Sequence, residues 1–458
     1  MKTNFLLLTL DDMNYDSADF VRTEEKKRQL MPNLDRLKAE GMTFRESHVS
    51  IGLCQPSRSV LMSGKYPHCN GARGFENISP DVRTLTQILK EDGYFNGIIG
   101  KENHISPREQ FCWDVYEHTY DDAGDFGRSP ECYYQKVREF LSRSKEQEAP
   151  FFLMVNSHDP HRPFAGSEDE IEMFGRHIAY EEMFCEEDVK VPEFVPDLPD
   201  IRKEFAQYLN SVYRADQTVG QVMRALKEAG MEEDTMVWFL SDNGMSMPFA
   251  KANCYLNSTK SPYTVKWSGH IAPGSVSDAL AASIDYMPTI LEVAGLACPE
   301  DVDGKSLLPV LTEGLKEQYD DIYTSFYKTA KNNVTKRERY FPMRCVQNKQ
   351  YAYIYNGWYG QEDKYRTETM AGLSFKAMEE AAKTDEAIAG RVEFYLNRVK
   401  EELYDYQKDP QALNNLAEEP EYRSLLKEMR IRMQEYMKQS RDELLDKFEN
   451  DVMTEERS

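Results

Sequence analysis

The segment Cys54–Arg58 (CQPSR) places a cysteine, a proline and an arginine at alternate positions. The residues that follow, up to Gly64, predict a helix with Ser57 or Ser59 as its N-terminal cap and Gly64 at its end. At the positive end of such a helix a thiolate or an anionic ligand is favoured. The alternative interpretation is a small buried cysteine beside a turn proline.

Four further segments, rich in charge or histidine, each follow directly on an apolar run that predicts a buried strand. These segments are Asp11-Asp12, Lys101 with His104, His158 with His161, and Asp242-Asn243. In open α/β sheets ligands bind at the carboxyl ends of the strands, so we expect these side chains to meet at one edge. Each has an ordinary structural interpretation by itself, as a helix cap, a turn or a solvated charge. Their occurrence together with the Cys54 segment favours a single active site.

The four residues Asp11, Asp12, Asp242 and Asn243 offer only oxygen ligands. Their three formal negative charges suit a hard divalent cation, Ca²⁺ or Mg²⁺, and not zinc, which prefers His or Cys. Arg58, Lys101 and a further lysine are expected to neutralise the charge of a transferred group.

Strands and helices alternate along the first two thirds of the chain. Apolar runs predict strands at residues 4–10, 42–50, 94–100, 151–155 and 235–240, and helices at 31–41, 84–91, 133–141, 204–230 and from residue 286. The alternation continues to about residue 315 and is typical of a doubly wound α/β domain. Residues 166–200 are acidic, contain prolines and carry little periodicity, which predicts a long surface excursion that walls the site.

The pattern changes after about residue 320. Tyr351–Tyr355 and Glu402–Tyr406 predict strands of a smaller antiparallel sheet, and residues 419–449 predict a charged helical tail. We therefore predict a catalytic α/β domain at 1–318 and a smaller C-terminal α+β subdomain at 319–458.

Composition limits the partners and the compartment. A net charge of −23 argues against nucleic acid and favours a small anionic substrate over a long polyanion. The eight cysteines show no paired spacing and no CxxC, which predicts a reducing compartment without disulfides. The apolar run Phe5–Leu10 leads directly into Asp11 without a cleavage site, and no stretch approaches the ~20 apolar residues of a membrane span. The sequence therefore predicts a cytoplasmic protein that does not enter a membrane.

The pattern Cys54-x-Pro56-x-Arg58 resembles the signature of the type I sulfatases, in which a formylglycine-generating enzyme oxidises the cysteine to formylglycine. A hydrated aldehyde offers one hydroxyl to attack sulfur and a second to expel the sulfate, whereas an unmodified serine or cysteine is left with a stable ester. The resemblance implies an alkaline-phosphatase-like mixed sheet flanked by helices. It also implies a bound metal, usually Ca²⁺, with Mg²⁺ as the alternative.

Within that family the chain resembles most the N-sulfoglucosamine sulfohydrolases, also called heparan N-sulfatases or sulfamidases, over nearly its whole length. The segments that carry this resemblance are Gly97–Lys101 (GIIGK), His158–Arg162 (HDPHR), Ser241–Gly244 (SDNG), Tyr340–Arg344 (YFPMR), and Glu402–Asp405 (ELYD) with Asp409-Pro410 and Asn414–Leu416.

The resemblance implies a role for each site residue. The metal ligands are Asp11, Asp12, Asp242 and Asn243, together with the modified Cys54, and the sulfate pocket is lined by Arg58, Lys101, His104, His158 and Lys251. His158 is expected to donate a proton to the leaving amine or alcohol, and His104 to orient or deprotonate the hydrate. His161 and Arg162 are expected to bind the substrate.

The choice of Lys251 follows the family order of a lysine after the Asp-Asn pair, then an aromatic residue and a proline. Here Tyr255 and Pro262 fit that order, and Lys260 and Lys266 are interpreted as rim charges.

Two departures from the family pattern bear on the substrate. Two residues, Glu102 and Asn103, separate Lys101 from His104 where the family has one. The region 327–334 has lysines and asparagines where sulfamidases carry histidines and a carboxylate. An acidic chain without a signal sequence also predicts a bacterial cell that desulfates imported saccharides.

The first functional hypothesis is hydrolysis of the N-sulfate of N-sulfoglucosamine from heparan sulfate fragments. The second keeps the mechanism but changes the bond to an O-sulfate on a sugar or small alcohol. A phosphonate or phosphodiester hydrolase is the third, because Arg58, Lys101 and Lys251 suit either anion. A non-catalytic protein that binds sulfated sugar is the fourth.

Overall fold

Buried strands form the centre of the molecule, as the apolar run at the start of the chain predicts. The computed structural model describes residues 2–120, 124–332 and 334–454. Every residue of the first strand, Asn4–Leu10, is buried, and parallel strands pair with it on both sides. Because neither face of such a strand meets water, its sequence is continuously apolar.

Twelve strands occur in the described residues. They are β1 (Asn4–Leu10), β2 (Met42–His48), β3 (Phe95–Ile99), β4 (Val115–Glu117), β5 (Phe151–Asn156), β6 (Thr235–Ser241), β7 (Tyr263–Lys266), β8 (Ser275–Ala282), β9 (Ile322–Thr329), β10 (Arg339–Gln347), β11 (Tyr351–Asn356) and β12 (Glu401–Asp405). The first eight form one sheet in the order β4-β3-β5-β1-β6-β7-β2-β8. Only β7 within it is antiparallel to its neighbours, so the sheet is mixed, as predicted.

The helices of the described residues lie between and beyond these strands. They are α1 (Glu24–Leu30), α2 (Pro32–Glu40), α3 (Cys54–Ser63), α4 (Pro67–Asn70), α5 (Leu85–Glu91), α6 (Pro130–Glu146), α7 (Glu168–Phe174), α8 (Pro199–Glu228), α9 (Leu256–Thr259), α10 (Tyr286–Ala294), α11 (Leu308–Thr312), α12 (Leu373–Ala381), α13 (Glu386–Asn397), α14 (Arg423–Ser440) and α15 (Leu445–Phe448). None of them is long and apolar enough to cross a lipid bilayer.

Two hydrophobic cores lie on opposite faces of the large sheet. Leu6 and Leu8 of β1 belong to the core that includes α6 and α8, whereas Phe5 and Leu7 belong to the core that includes α5 and α10. Side chains of a strand alternate between its faces, so one apolar strand contributes to both cores. This arrangement confirms the predicted α/β class with helices on both sides of the sheet.

The region 166–200 differs in part from the prediction of an excursion without periodicity. It contains the helix α7, and α8 begins at Pro199, five residues before the predicted start at Glu204. Ser167 caps α7 by accepting from the amide of Glu170, and Pro199 occupies the first turn of α8. Both are start signals that the sequence contained.

The last four strands form a separate antiparallel sheet in the order β12-β11-β10-β9. Its residues Val346, Tyr353 and Leu403 pack with Met429 and Met433 of α14 in a third core. The predicted small antiparallel sheet is therefore confirmed. The predicted helical tail is interrupted after α14 at Arg441, whose φ of 56° is left-handed. The boundary between residues 318 and 319 stays a prediction.

A buried ion pair fixes the end of α14 to this second sheet, and its loss is expected to destabilise the fold. Arg344 Nε and Nη2 donate to the carboxylate of Asp442 at 2.5 and 2.9 Å, and both side chains are fully buried. Burial raises the pKa of Asp442, but Arg344 outweighs it and the net pKa is lowered. We expect Asp442→Ala to lower the free energy of unfolding by about 3–5 kcal/mol, since Arg344 is left buried and uncompensated.

Urea unfolding of wild type and variant measures this effect, with the exposed Asp385→Ala as a control that removes only a helix cap. Because the folded pKa is lowered, the contribution of Asp442 is full above its ordinary pKa of about 4. It is lost as the pH falls through the lowered value. An Asp442→Ala protein as stable as wild type at pH 7 contradicts the prediction.

Candidate active site

The carboxyl ends of four adjacent parallel strands bring the predicted site segments together. In the sheet, β3, β5, β1 and β6 are consecutive neighbours, and each leads into one of the four segments predicted from the sequence. Lys101, after β3, forms an ion pair with Asp11, after β1. Asn243 Nδ2, after β6, donates to Asp12 Oδ1 at 2.7 Å. The expected convergence at one sheet edge is therefore observed.

Helix α3 begins at Cys54 itself, not after a serine cap. Leu53 is the N-cap and provides no side-chain hydrogen bond, so the prediction of Ser57 or Ser59 as the cap is wrong. Ser59 Oγ instead donates to the carbonyl of Gln55 at 3.0 Å inside the helix. The predicted end is confirmed, because Gly64 has a left-handed φ of 63° that glycine adopts without strain.

The thiol of Cys54 lies at this helix N-terminus next to carboxylates. Its Sγ is 3.8 Å from Asp12 Oδ1, and the residue is buried. Burial and, next, the charge of Asp11 raise the pKa of Cys54 well above its ordinary value, although Lys251 opposes them. The prediction that this position favours a thiolate is therefore wrong for the unmodified residue. Desolvation and the negative charges of Asp11, Asp12 and Asp242 outweigh the helix dipole here.

Arg58 is fixed by groups from three strand ends. Its Nη2 donates to Asp242 Oδ2 at 2.7 Å, and its Nη1 donates to Thr9 Oγ1 at 2.7 Å and to Asn156 Oδ1 at 2.5 Å. Sequence reasoning missed Thr9 and Asn156. A signal existed for Asn156, which is the last residue of β5 and so lies at the same sheet edge as the predicted residues.

The two lysines of the site both pair with carboxylates, Lys101 with Asp11 at the edge of the cleft and Lys251 in a fully buried position. Lys251 Nζ donates to Asp12 Oδ2 at 2.8 Å and lies 2.5 Å from Glu368 Oε1. Lys260 and Lys266 pair instead with Glu46, and with Glu40 and Glu232, respectively. Of the three lysines considered, Lys251 is therefore the one whose ammonium reaches the Asp12 cluster.

Glu368 is a site residue that sequence reasoning missed. It lies in the C-terminal part of the chain on the short 3₁₀ helix Glu368–Ala371, far from every motif considered. No pattern around it in the sequence indicates proximity to Lys251.

The acidic residues of the site are arranged to receive a cation. Asp11 Oδ1 and Asn243 Oδ1 are buried without a hydrogen bond from any described residue, which is costly unless another partner is present. Asp11 Oδ2 contacts the Lys101 ammonium. Burial, together with Asp11 and Asp12, raises the pKa of Asp242 to about 8 against the opposing charge of Arg58. Oxygen donors in this number fit a hard divalent ion.

His161 joins this cluster, although the sequence predicts it as a substrate-binding residue. One ligand atom each of Asp11, Asp12, Cys54 and His161 lies within 4.8 Å of the others. His161 Nε2 is 3.8 Å from Asp12 Oδ2, while its Nδ1 donates to the carbonyl of Arg162 at 2.6 Å. Nε2 of His161 therefore faces the carboxylates.

The remaining two histidines reach the same space as neutral imidazoles. Burial and then the charge of Lys101 lower the pKa of His104 and of His158 well below the ordinary value. His158 Nε2 is buried without a hydrogen bond from the described residues. The ring is held by close packing against Gly127, whose φ is 73° and where a Cβ would lie 2.2 Å from His158 Cδ2.

The extra residue between Lys101 and His104 is accommodated by a 3₁₀ turn. Lys101 is left-handed at φ 50°, and the amide of His104 donates to the carbonyl of Lys101 at 2.9 Å. His104 thereby lines the same hollow as Lys101, with its ring edge-on to Phe75 at 5.7 Å.

A cleft of two adjoining hollows opens onto these groups. One hollow of about 280 Å³ is lined by Lys101, His104 and His158 and walled by Tyr120 and Phe174, and the other, of about 600 Å³, is lined by His161 and Glu368. Phe174 belongs to α7, so the 166–200 region does wall the cleft, as predicted. Tyr120 is exposed and presents an aromatic ring to the first hollow.

Arg162 lines both hollows, but its guanidinium is already engaged. Nη1 donates to Glu204 Oε1 at 2.6 Å, and Nε and Nη2 donate to the carbonyl of Ser246 at 3.1 and 3.0 Å. Its predicted contact with the substrate stays a prediction.

The 327–334 region reaches the cleft rim. Asn332 and Val334 line the larger hollow, and Lys328 pairs with Glu76 and Glu338. Asn333 lies outside the described residues.

Two family models match the sequence. Residues 3–296 match the model described as Sulfatase, and residues 244–370 match the model described as N-sulphoglucosamine sulphohydrolase, C-terminal.

Named proteins are similar over much or all of the chain. An N-sulphoglucosamine sulphohydrolase of Homo sapiens is 30% identical over 96% of this chain and 90% of its own length. An N-acetylgalactosamine-6-sulfatase of Rattus norvegicus is 30% identical over 68% of this chain and 66% of its own length. A protein solved in complex with its substrate D-glucosamine-2-N,6-O-disulfate superimposes with a TM-score of 0.70 at 18% identity, covering 97% of this chain and 99% of that one.

The first family model alone covers more than half of the chain and contains every site residue predicted from the sequence. The sequence match, the fold and the cysteine segment at the sheet edge agree, and this chain belongs to the sulfatase family.

Proposed function

We propose that this sulfatase hydrolyses the N-sulfate of N-sulfoglucosamine from heparan sulfate or heparin fragments. The observation that carries the proposal is the placement of Lys101 and Lys251 with the Asp11–Asp12 cluster around Cys54, beside a cleft that Lys101 and His161 line. Choice of the amino sugar is supported by the C-terminal family model and by the similarity to the human enzyme over nearly the whole chain.

The charges of the site favour a singly charged substrate. Among the described residues, Asp11, Asp12, Asp242 and Glu368 stand against the cations Arg58, Lys101 and Lys251, while the histidines are neutral. With all four carboxylates ionised, a bound divalent cation changes the net charge of this group of residues to a single positive charge. A sulfamate or sulfate ester carries one negative charge and makes the site neutral. A phosphate monoester with two negative charges does not.

Formylglycine at position 54 supplies a hydroxyl nucleophile when it is formed, and Ca²⁺, or alternatively Mg²⁺, supplies Lewis acidity. The residues that would hold the metal are Asp11, Asp12, Asp242 and Asn243, with position 54. We assign the oxidation of Cys54 to a formylglycine-generating enzyme, which makes that enzyme a partner of the nascent chain.

The remaining residues position charge and protons. Lys101 and Lys251 neutralise the sulfate group, and Arg58 holds Asp242 in place through its buried ion pair. His158 lines the cleft, and its neutral ring relays a proton to the leaving nitrogen by gaining one at one ring nitrogen as it gives one from the other, while His104 orients the attacking group. The cytoplasmic location and the bacterial origin stay predictions.

A carbohydrate O-sulfatase is the second candidate, favoured by the similarity to a relative named for 6-sulfate hydrolysis. A phosphonate or phosphodiester hydrolase is the third, since such substrates also carry one charge.

A direct comparison of substrates tests the proposal. Protein co-expressed with a formylglycine-generating enzyme is assayed on N-sulfoglucosamine, glucosamine 6-sulfate and a phosphonate monoester. We expect kcat/KM for N-sulfoglucosamine to exceed that for the other two substrates by about 100-fold or more, because a site that hydrogen-bonds one substrate discriminates strongly against analogues without the matching group. Faster cleavage of glucosamine 6-sulfate contradicts the N-sulfate assignment, and faster cleavage of the phosphonate contradicts sulfate as the substrate.

A further inference from the structure

Glu368 brings a carboxylate from the C-terminal part of the chain to the catalytic edge of the large sheet. Its Oε1 lies 2.5 Å from Lys251 Nζ, and its side chain is 27% exposed toward the hollow that His161 also lines. The residue is therefore both in contact with a site lysine and open to whatever occupies the cleft.

The segment that follows Glu368 is held by buried hydrogen bonds. Glu204 of α8 accepts from Arg162 Nη1 at 2.6 Å and from the amides of Leu373 and Ser374 at 2.8 Å. Through Glu204, the start of α12 is therefore linked to the segment after β5 that contains Arg162. Thr369 Oγ1 is 2.7 Å from the hydroxyl of the buried Tyr395. A carboxylate anchored in this way is preorganised for a specific contact.

The carboxylate of Glu368 has an unfilled capacity to accept hydrogen bonds. Burial raises its pKa, but Lys251 and His161 lower it by more, so the group is ionised at neutral pH. An ionised carboxylate accepts and never donates. Apart from the Lys251 contact, no hydrogen bond from the described residues reaches it. Water meets this capacity in the empty cleft, and a bound substrate that displaces the water has to supply a donor in its place.

The position beside Lys251 indicates which donor this is. Under the proposed function Lys251 contacts the sulfate group, so Glu368 lies next to the bond that breaks. In a sulfate ester the bridging atom is an oxygen without hydrogen, whose lone pairs the carboxylate repels. In a sulfamate the bridging atom is a nitrogen that carries a hydrogen and donates to it.

We propose that Glu368 is the specificity-determining residue that accepts a hydrogen bond from the bridging N–H of a sulfamate and thereby selects N-sulfates over O-sulfates. The inference rests on the proposed function and names the residue that determines its substrate specificity. Sites that hydrogen-bond an N–H of the substrate discriminate strongly against the analogue that lacks it.

The test measures kcat/KM on N-sulfoglucosamine and on glucosamine 6-sulfate for wild type, Glu368→Ala and Glu368→Gln. Glu379→Ala, an exposed carboxylate on α12, is the matched control. We expect the ratio of the two values to fall by at least about 10-fold in Glu368→Ala, the loss of one hydrogen bond to a charged group. The fall should be smaller in Glu368→Gln, whose amide oxygen still accepts, and the control should keep the wild-type ratio.

A residue that only positions Lys251 would lower both values equally, so an unchanged ratio in Glu368→Ala overturns the inference and leaves the proposed function standing. If Glu368→Ala does not fold, as judged by thermal unfolding, the nearly isosteric Glu368→Gln decides on the same ratio. A wild-type enzyme that cleaves only glucosamine 6-sulfate overturns both.

Discussion

Cys54→Ala is expected to abolish sulfate release, with a loss of about 10⁴-fold or more in kcat, as when a covalent nucleophile is removed. The residue lies at the centre of the site, 3.8 Å from Asp12 and within the cluster that Asp11 and His161 complete. Burial and the neighbouring carboxylates raise the pKa of the unmodified thiol, which disfavours its thiolate as the nucleophile. Activity should therefore follow conversion of Cys54 to formylglycine.

Sulfate release by wild type, Cys54→Ala and Cys298→Ala measures this, with Cys298 as the control because it is an exposed cysteine. Mass spectrometry of the peptide containing position 54 gives the converted fraction in each preparation. We expect specific activity to be proportional to that fraction and Cys298→Ala to match wild type. Turnover by Cys54→Ala, or full activity in a preparation without conversion, contradicts the assignment of the nucleophile.

Asp11→Asn is expected to abolish metal binding and to lower kcat by about 10³-fold or more. The loss in kcat follows because a metal contributes several kcal/mol to charge stabilisation in the transition state. Oδ1 of Asp11 is buried without a hydrogen bond from the described residues and is therefore available as a ligand, while Oδ2 pairs with Lys101. The amide of asparagine keeps the shape but removes one negative charge and replaces one acceptor oxygen by a donor NH₂ group. Metal analysis of the purified protein and the activity assay measure the two effects.

The matched control is Asp234→Asn, an exposed aspartate just before β6, at the opposite end of that strand from Asp242. Calcium should raise the melting temperature of wild type and of this control, because a ligand that binds only the folded state stabilises it. The melting temperature of Asp11→Asn should not respond to calcium. An Asp11→Asn protein that retains stoichiometric metal and the calcium response would show that Asp11 is not a ligand.

The sequence by itself determined the α/β class and the convergence of the four site segments. Both follow from local patterns, since strands buried on both faces are continuously apolar and the polar residues directly after parallel strands share one edge. These patterns predict the positions of Asp11, Lys101, His158 and Asp242 at the sheet edge. The small second sheet was likewise predicted from its tyrosine-rich strands.

Local pattern was insufficient where a residue's environment comes from distant elements. The thiolate prediction for Cys54 considered only the helix N-terminus, whereas its pKa is set by burial and by carboxylates from β1. The predicted serine cap was wrong because α3 starts one turn earlier, at Cys54, and Ser59 is bonded inside the helix.

Only the tertiary structure decided the contact between Glu368 and Lys251, which are 117 positions apart in the chain. This contact depends on the packing of the C-terminal region through Glu204 and Tyr395. Short motifs describe chemistry that one segment can carry. Long-range contacts form only when the hydrophobic cores bring separate segments together, so their partners cannot be read from the spacing of residues in one segment.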